Sequence, residues 1–100
     1  MKLNETEIES RLAACEGWER EDDRWIIKKY QLPTFLKGIT FVNEVAEAAE
    51  QLNHHPFISI DYKIVTLRIT NWHIGGLTEL DFKAAAAFDQ AFARGQLPAE

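Results

Sequence analysis

The chain has 100 residues, a formal net charge of -5 and 46% hydrophobic residues, which is material for one modest core in one domain spanning residues 1–100. Acids and bases are interspersed, so there is no positive field to hold nucleic acid, and no apolar run approaches the ~18–20 residues that cross a bilayer. Cys15 is the only cysteine, which excludes an internal disulfide and fits a reducing, cytoplasmic setting without a signal peptide.

Asn4 is placed to cap a first helix, with Glu7 as the returning acid of a capping box. Ile8, Leu12 and Cys15 then share one apolar face, which reads Cys15 as a packed thiol, and Gly17 suits a left-handed stop. Trp18 to Glu21 is a short strand, Asp22-Asp23 a turn, and Arg24 to Leu32 the return strand. Lys28-Lys29 breaks its alternation and predicts a bulge or an exposed edge. Thr34 caps the longest helix, whose expected apolar stripe is Phe35, Ile39, Val42, Val45, Ala46, Ala49 and Leu52. Gly38 lies within it at a cost of ~1 kcal/mol relative to Ala, which fits a close helix–sheet contact. Asn53 ends that helix, and Pro56 forbids its continuation.

Phe57 to Asp61 and Ile64 to Asn71 follow as strands joined tightly at Tyr62-Lys63. Val65, Leu67 and Ile69 share one face of the second; Thr66, Arg68 and Thr70 share the other, expected to be wet. Gly75-Gly76 breaks the strand. Thr78 and Asp81 form a second capping box, Leu77 and Phe82 a hydrophobic staple, and Ala84, Ala85, Phe88, Ala91 and Phe92 the buried face of a last helix. Residues after Gly95 read as a frayed end. The order α-β-β-α-β-β-α predicts an α+β fold, a four-stranded antiparallel sheet with three helices packed on one face. Ile64 to Asn71 is the expected open edge, available for an eight-stranded sheet with a second copy.

The chemistry gathers at Glu50 to Pro56. Imidazole is the side chain whose proton moves near neutral pH, and His54 and His55 sit at the negative end of a long helix, where the dipole favours the protonated form. Glu50, one turn before His54, is placed to pair with it or orient it. His73 lies just beyond the last strand. Plain alternatives exist: a histidine pair that only caps the helix, Asp81 as a capping acid, Trp72 as a core or interface aromatic, or a three-histidine metal site whose spacing matches no known zinc helix motif.

Glu50-x-x-x-His54-His55-Pro56, five residues, Tyr62, nine residues, Trp72, then Gly75-Gly76-Leu77-Thr78-x-x-Asp81 resembles the signature of the pterin-4a-carbinolamine dehydratases. The resemblance runs from Gly17-Trp18 through the last helix. It implies the three-helix, four-strand fold, and dehydration of 4a-hydroxytetrahydropterin to quinonoid dihydropterin by histidine general acid–base catalysis. That reaction recycles the cofactor of aromatic amino-acid hydroxylases, which makes such a hydroxylase a pathway partner. No metal or organic cofactor is implied, and homodimers or homotetramers are. Carried over by position, His54, His55 and His73 are the catalytic candidates. Pro56 shapes the same wall, Glu50 and Asp81 are the acids near the site, and Asn71, Trp72 and Ile74 edge the pterin.

One position departs from the pattern. Trp72 stands where the family's third histidine is expected, and His73 comes one place later. In an extended strand the two would point to opposite sides, so only one would face the pterin. Either Trp72 stacks on the ring and two histidines do the chemistry, or a local bulge swings His73 inward; Gly75-Gly76 favours the second. The departure also keeps a non-catalytic dimeric binding or assembly protein on the same scaffold as the alternative function.

Overall fold

The computed structural model describes residues 1–96; the frayed end expected after Gly95 falls, from residue 97, outside the described residues. The elements are α1 (Glu5–Ala13), β1 (Glu19–Arg20), β2 (Ile26–Gln31), α2 (Phe35–Leu52), β3 (Phe57–Asp61), β4 (Ile64–Ile69) and α3 (Glu79–Gly95). The expected α+β order and antiparallel pairing are both present. The four strands run β1-β2-β4-β3 across the sheet.

The first capping box forms as the sequence predicts: the Glu7 N–H donates to Asn4 Oδ1 at 2.8 Å, and the Asn4 N–H to Glu7 Oε1 at 2.9 Å. α1 nevertheless ends at Ala13 with Ala14 as its cap, and Gly17, at φ 88°, makes a separate turn into β1. Cys15 is half-buried against the core. Burial pushes its thiol up, helped by the Asp89 charge and opposed by Lys28.

β4 is the centre of the sheet and not its edge. It pairs with β2 along Ile64 to Ile69 and with β3 along Ile64 to Arg68. The reason lies in its side chains: Val65, Leu67 and Ile69 are all fully buried, and each such burial contributes roughly 1.5–3 kcal/mol. The open edge is β3, exposed along its whole length. The second face of β4 and its continuation is drier than alternation suggested, because Thr66 and Thr70 are both buried. β2 carries no bulge. Its register against β4 is unbroken through Lys28 and Lys29, and β1 stops opposite Ile27, which leaves the rest of that outer edge without a strand.

α2 packs through Gly38, Phe41, Val45 and Ala49. Compared with the expected stripe the helix is turned about its axis: Phe35 and Ala46 face solvent and Phe41 faces inward. Phe41 sets this rotation because its ring packs 4.7 Å from Tyr30 and 5.6 Å from Phe92. At Gly38 a β-carbon would lie 3.7 Å from Val65 and 3.9 Å from Leu32, the close approach of helix to sheet expected there. α3 buries Phe82, Ala84, Ala85, Phe88 and Ala91, with Leu77 buried just before it. Arg11 of α1 grips the start of α3 through Glu79, at 2.5 and 2.7 Å, and this contact holds the Glu79 carboxyl below its ordinary value. Among the described residues no helix is long and apolar enough to cross a membrane.

Candidate active site

Asn53 builds the corner. It takes the left-handed conformation, φ 51° and ψ 45°, and its N–H reaches back to the carbonyls of Ala49 and Glu50. Asparagine tolerates that conformation better than most side chains. The His54 N–H then closes on the Ala49 carbonyl at 3.0 Å, and Pro56 sends the chain into β3. The turn separates the two histidines into different settings.

His54 points inward. Its Nε2 lies 2.6 Å from Asp81 Oδ1, with the imidazole 11% exposed and the carboxylate 0%. Asp81 Oδ2 accepts the Thr78 N–H at 2.7 Å and the Thr78 hydroxyl at 3.0 Å. The capping acid of α3 therefore also fixes a histidine. His55 points outward, with Nε2 2.5 Å from Glu50 Oε2 and both side chains more than half exposed. The expected Glu50–His54 pair does not form: the left-handed Asn53 takes His54 off the helix, so the i, i+4 geometry is lost and Glu50 meets His55 instead. Both rings use Nε2 for a carboxylate, and Nδ1 carries no protein hydrogen bond among the described residues.

A cleft of about 320 Å³ opens at this corner, walled on one side by Asn53, His54, His55, Pro56 and Phe57. Thr70, Asn71, Trp72 and His73 form the other wall. β4 ends at Ile69, so alternation along a strand does not govern Trp72 and His73. Residues 72–75 form a turn closed by the Asn71–Gly76 bridge, by the Gly75 N–H to the Asn71 carbonyl at 2.8 Å, and by the Ile74 N–H to Asn71 Oδ1 at 3.2 Å. Gly75 supplies the positive φ of 77° that this turn requires. Trp72 and His73 both line the cleft, so the exclusion expected of an extended strand does not arise. Ile74 does not line it; the turn carries that side chain to a neighbouring hollow beside Leu3, Arg11 and Glu79. Among the described residues no group of three or more His, Cys, Asp and Glu is arranged to hold a metal ion, so the histidines do not converge as ligands.

Sequence reading missed several features. Phe57 and Thr70 are cleft residues, and adjacency to Pro56 and Asn71 was the only available signal. The Thr70 hydroxyl donates to the Arg24 carbonyl, tying the cleft wall to the bend that precedes β2. A second polar cluster surrounds Asp89, which accepts from Trp18 Nε1 at 3.2 Å, Lys28 Nζ at 2.9 Å and the Tyr30 hydroxyl at 2.5 Å. Burial, reinforced by the Asp89 hydrogen bond and charge, raises the Tyr30 phenol above its ordinary value.

The fold is thus a four-stranded antiparallel α+β sheet whose buried Asp81–His54 pair borders a small cleft. The sequence model of the family described as "Pterin 4 alpha carbinolamine dehydratase" matches residues 1–91, and the chain belongs to that family. Proteins provisionally named pterin-4-alpha-carbinolamine dehydratase are similar to it. The one from Roseiflexus castenholzii is 46% identical over 88 residues, covering 88% of this chain and 94% of its own. The one from Rhizobium meliloti is 43% identical over 98 residues, covering 97% and 93%. A crystal structure titled as a transcriptional coactivator/pterin dehydratase from Brucella melitensis superposes with a TM-score of 0.87 at 30% identity, covering 91% of this chain and 98% of that one. A pterin dehydratase-like protein identified as a RuBisCO assembly factor shares the fold alone, with a TM-score of 0.65 at 17% identity, covering 76% and 89%.

Proposed function

We propose that the protein is a hydro-lyase that dehydrates 4a-hydroxytetrahydropterin to quinonoid dihydropterin. The observation that carries this reading is His54, held by the buried Asp81 and lining the cleft, with His55 in the same lining. The reaction needs one proton delivered to the departing C4a hydroxyl and one removed from N5. The N5 lone pair forms the C4a=N5 bond as water leaves, so the protons balance. Two imidazoles divide these steps. Asp81 holds the His54 ring by Nε2 and leaves Nδ1 for the substrate; Glu50 does the same for His55, more loosely, in solvent. Pro56 and Asn71 shape the walls, Trp72 offers a face to a flat ring, and His73 stands at the rim as a third candidate for proton transfer. The pathway role is recycling of the pterin cofactor used by aromatic amino-acid hydroxylases.

A second copy of the chain is the proposed partner. β3 is an exposed edge carrying Ile58 and Ile60, each more than a third exposed, and pairing it about a two-fold axis makes an eight-stranded sheet. Sedimentation would read a dimer that Ile58→Lys weakens. The enzymatic reading is tested by following quinonoid formation from the 4a-carbinolamine. Turnover that falls in His54→Ala and His55→Ala supports it. No turnover by a stable dimer would favour a non-catalytic assembly role instead.

A further inference from the structure

Trp72, Phe57, Trp25 and Arg68 form one stacked group at the mouth of the cleft. The Trp25 and Trp72 rings meet edge to face at 5.1 Å and 82°, Trp25 and Phe57 at 5.0 Å, and Phe57 and Trp72 at 5.7 Å. Trp25 is nearly buried beneath the other two, whereas Trp72 is 65% and Phe57 47% exposed. The Arg68 guanidinium lies 4.5 Å over Trp25 and 5.6 Å from Phe57, held by Glu21 at 2.8 Å. Core packing does not explain this arrangement, because Trp72 and Phe57 remain largely exposed over a nearly buried Trp25.

The cleft itself is small. At about 320 Å³ it is at the lower end of ligand sites, enough for a bicyclic head and little more. Whatever substituent the ring carries must leave the cleft. Trp72 and Phe57 both line the cleft and both belong to the stacked group, so the aromatic surface begins where the cleft stops. We propose that this surface is a specificity shelf that selects pterins bearing a flat, aromatic substituent over those bearing a short aliphatic one. Trp25 is its positioning residue: it touches no part of the cleft and fixes the tilt of the two rings that do. The Arg68 guanidinium, held by Glu21, packs on the Trp25 ring. Aromatic pairing of a ligand ring with this group adds to ordinary area burial.

This inference rests on the pterin reading above. The test measures dissociation constants for 6-phenyl-7,8-dihydropterin and 6-methyl-7,8-dihydropterin by quenching of tryptophan fluorescence, with isothermal titration as the check. The wild-type chain is expected to favour the phenyl compound about tenfold. Trp25→Ala is expected to bring that ratio close to one, and Trp25→Phe to restore part of it. Phe57→Leu, which keeps apolar volume at the rim, provides a second variant should Trp25→Ala fail to fold, and it too should lower the ratio. Equal affinities in the wild type would overturn the shelf and leave the pterin site standing. A phenyl preference that survives in folded Trp25→Ala and Phe57→Leu would also overturn it. Binding of neither compound would remove the pterin reading and the shelf together.

Discussion

Asp81 and Asp89 of α3 gather donors in nearly the same way, but only Asp81 holds a side chain that lines the cleft. Asp81 receives the Thr78 N–H, the Thr78 hydroxyl and His54 Nε2. Asp89, two turns later, receives Trp18, Lys28 and Tyr30. Each is a well-satisfied polar node of the kind that fixes a core. The difference lies in the partners. At Asp81 one donor is an imidazole with a second nitrogen still to use, and it lines open space. At Asp89 the donors are an indole, an ammonium and a phenol whose proton is held tightly, and none of them lines the histidine cleft. A satisfied carboxylate becomes chemistry only when its partner can change protonation in contact with a ligand.

The largest effect expected from this contrast is at His54. His54→Ala should lower kcat for carbinolamine dehydration about 10²–10⁴-fold in a spectrophotometric assay, the usual range for a positioned acid or base. Asp81→Asn should lower it about 10²-fold with His54 still present, because the amide cannot hold the ring as the carboxylate does. Retained turnover there would reduce Asp81 to a helix cap. Asp89→Asn should do the opposite: turnover unchanged, and about 1–3 kcal/mol of stability lost in urea unfolding, since buried donors lose their charged acceptor. A drop in kcat for that variant would erase the distinction between the two nodes.

Tyr30 gives a smaller, pH-dependent signal. Its folded pKa is raised, so below about pH 10 the phenol is neutral in both states and its contribution is intact. Above about pH 10 the unfolded chain releases the proton first, and stability falls by up to about 1.4 kcal/mol per pH unit. Tyr30→Phe should flatten that alkaline slope in thermal melts taken from pH 9 upward. The smallest effect is kinetic. With its thiol pushed up by burial, Cys15 should alkylate more slowly than glutathione at pH 8, and at a comparable rate once the chain is unfolded in urea.

Much of this was legible in the residues. Asn4 with Glu7, Thr34, Asn53 and Pro56 mark boundaries through contacts only a few residues apart, so the helices and the histidine corner follow from local chemistry. Val65, Leu67 and Ile69 declare a buried face by period alone. The family signature added the identity of the corner, because its spacing is carried by the chain itself. The partnerships were not legible. His54 and Asp81 are 27 residues apart, Tyr30 and Asp89 are 59, and no periodicity encodes such distances. Which strand is the edge and which acid meets His54 were decided by packing, whereas Trp72 and His73 share a wall because a local turn carries them. One left-handed residue, Asn53, turned His54 from Glu50 toward Asp81, and one four-residue turn replaced the strand that would have set Trp72 and His73 on opposite sides. Local sequence fixes what a segment is through near neighbours, whereas what it meets depends on burying apolar faces drawn from the whole chain at once.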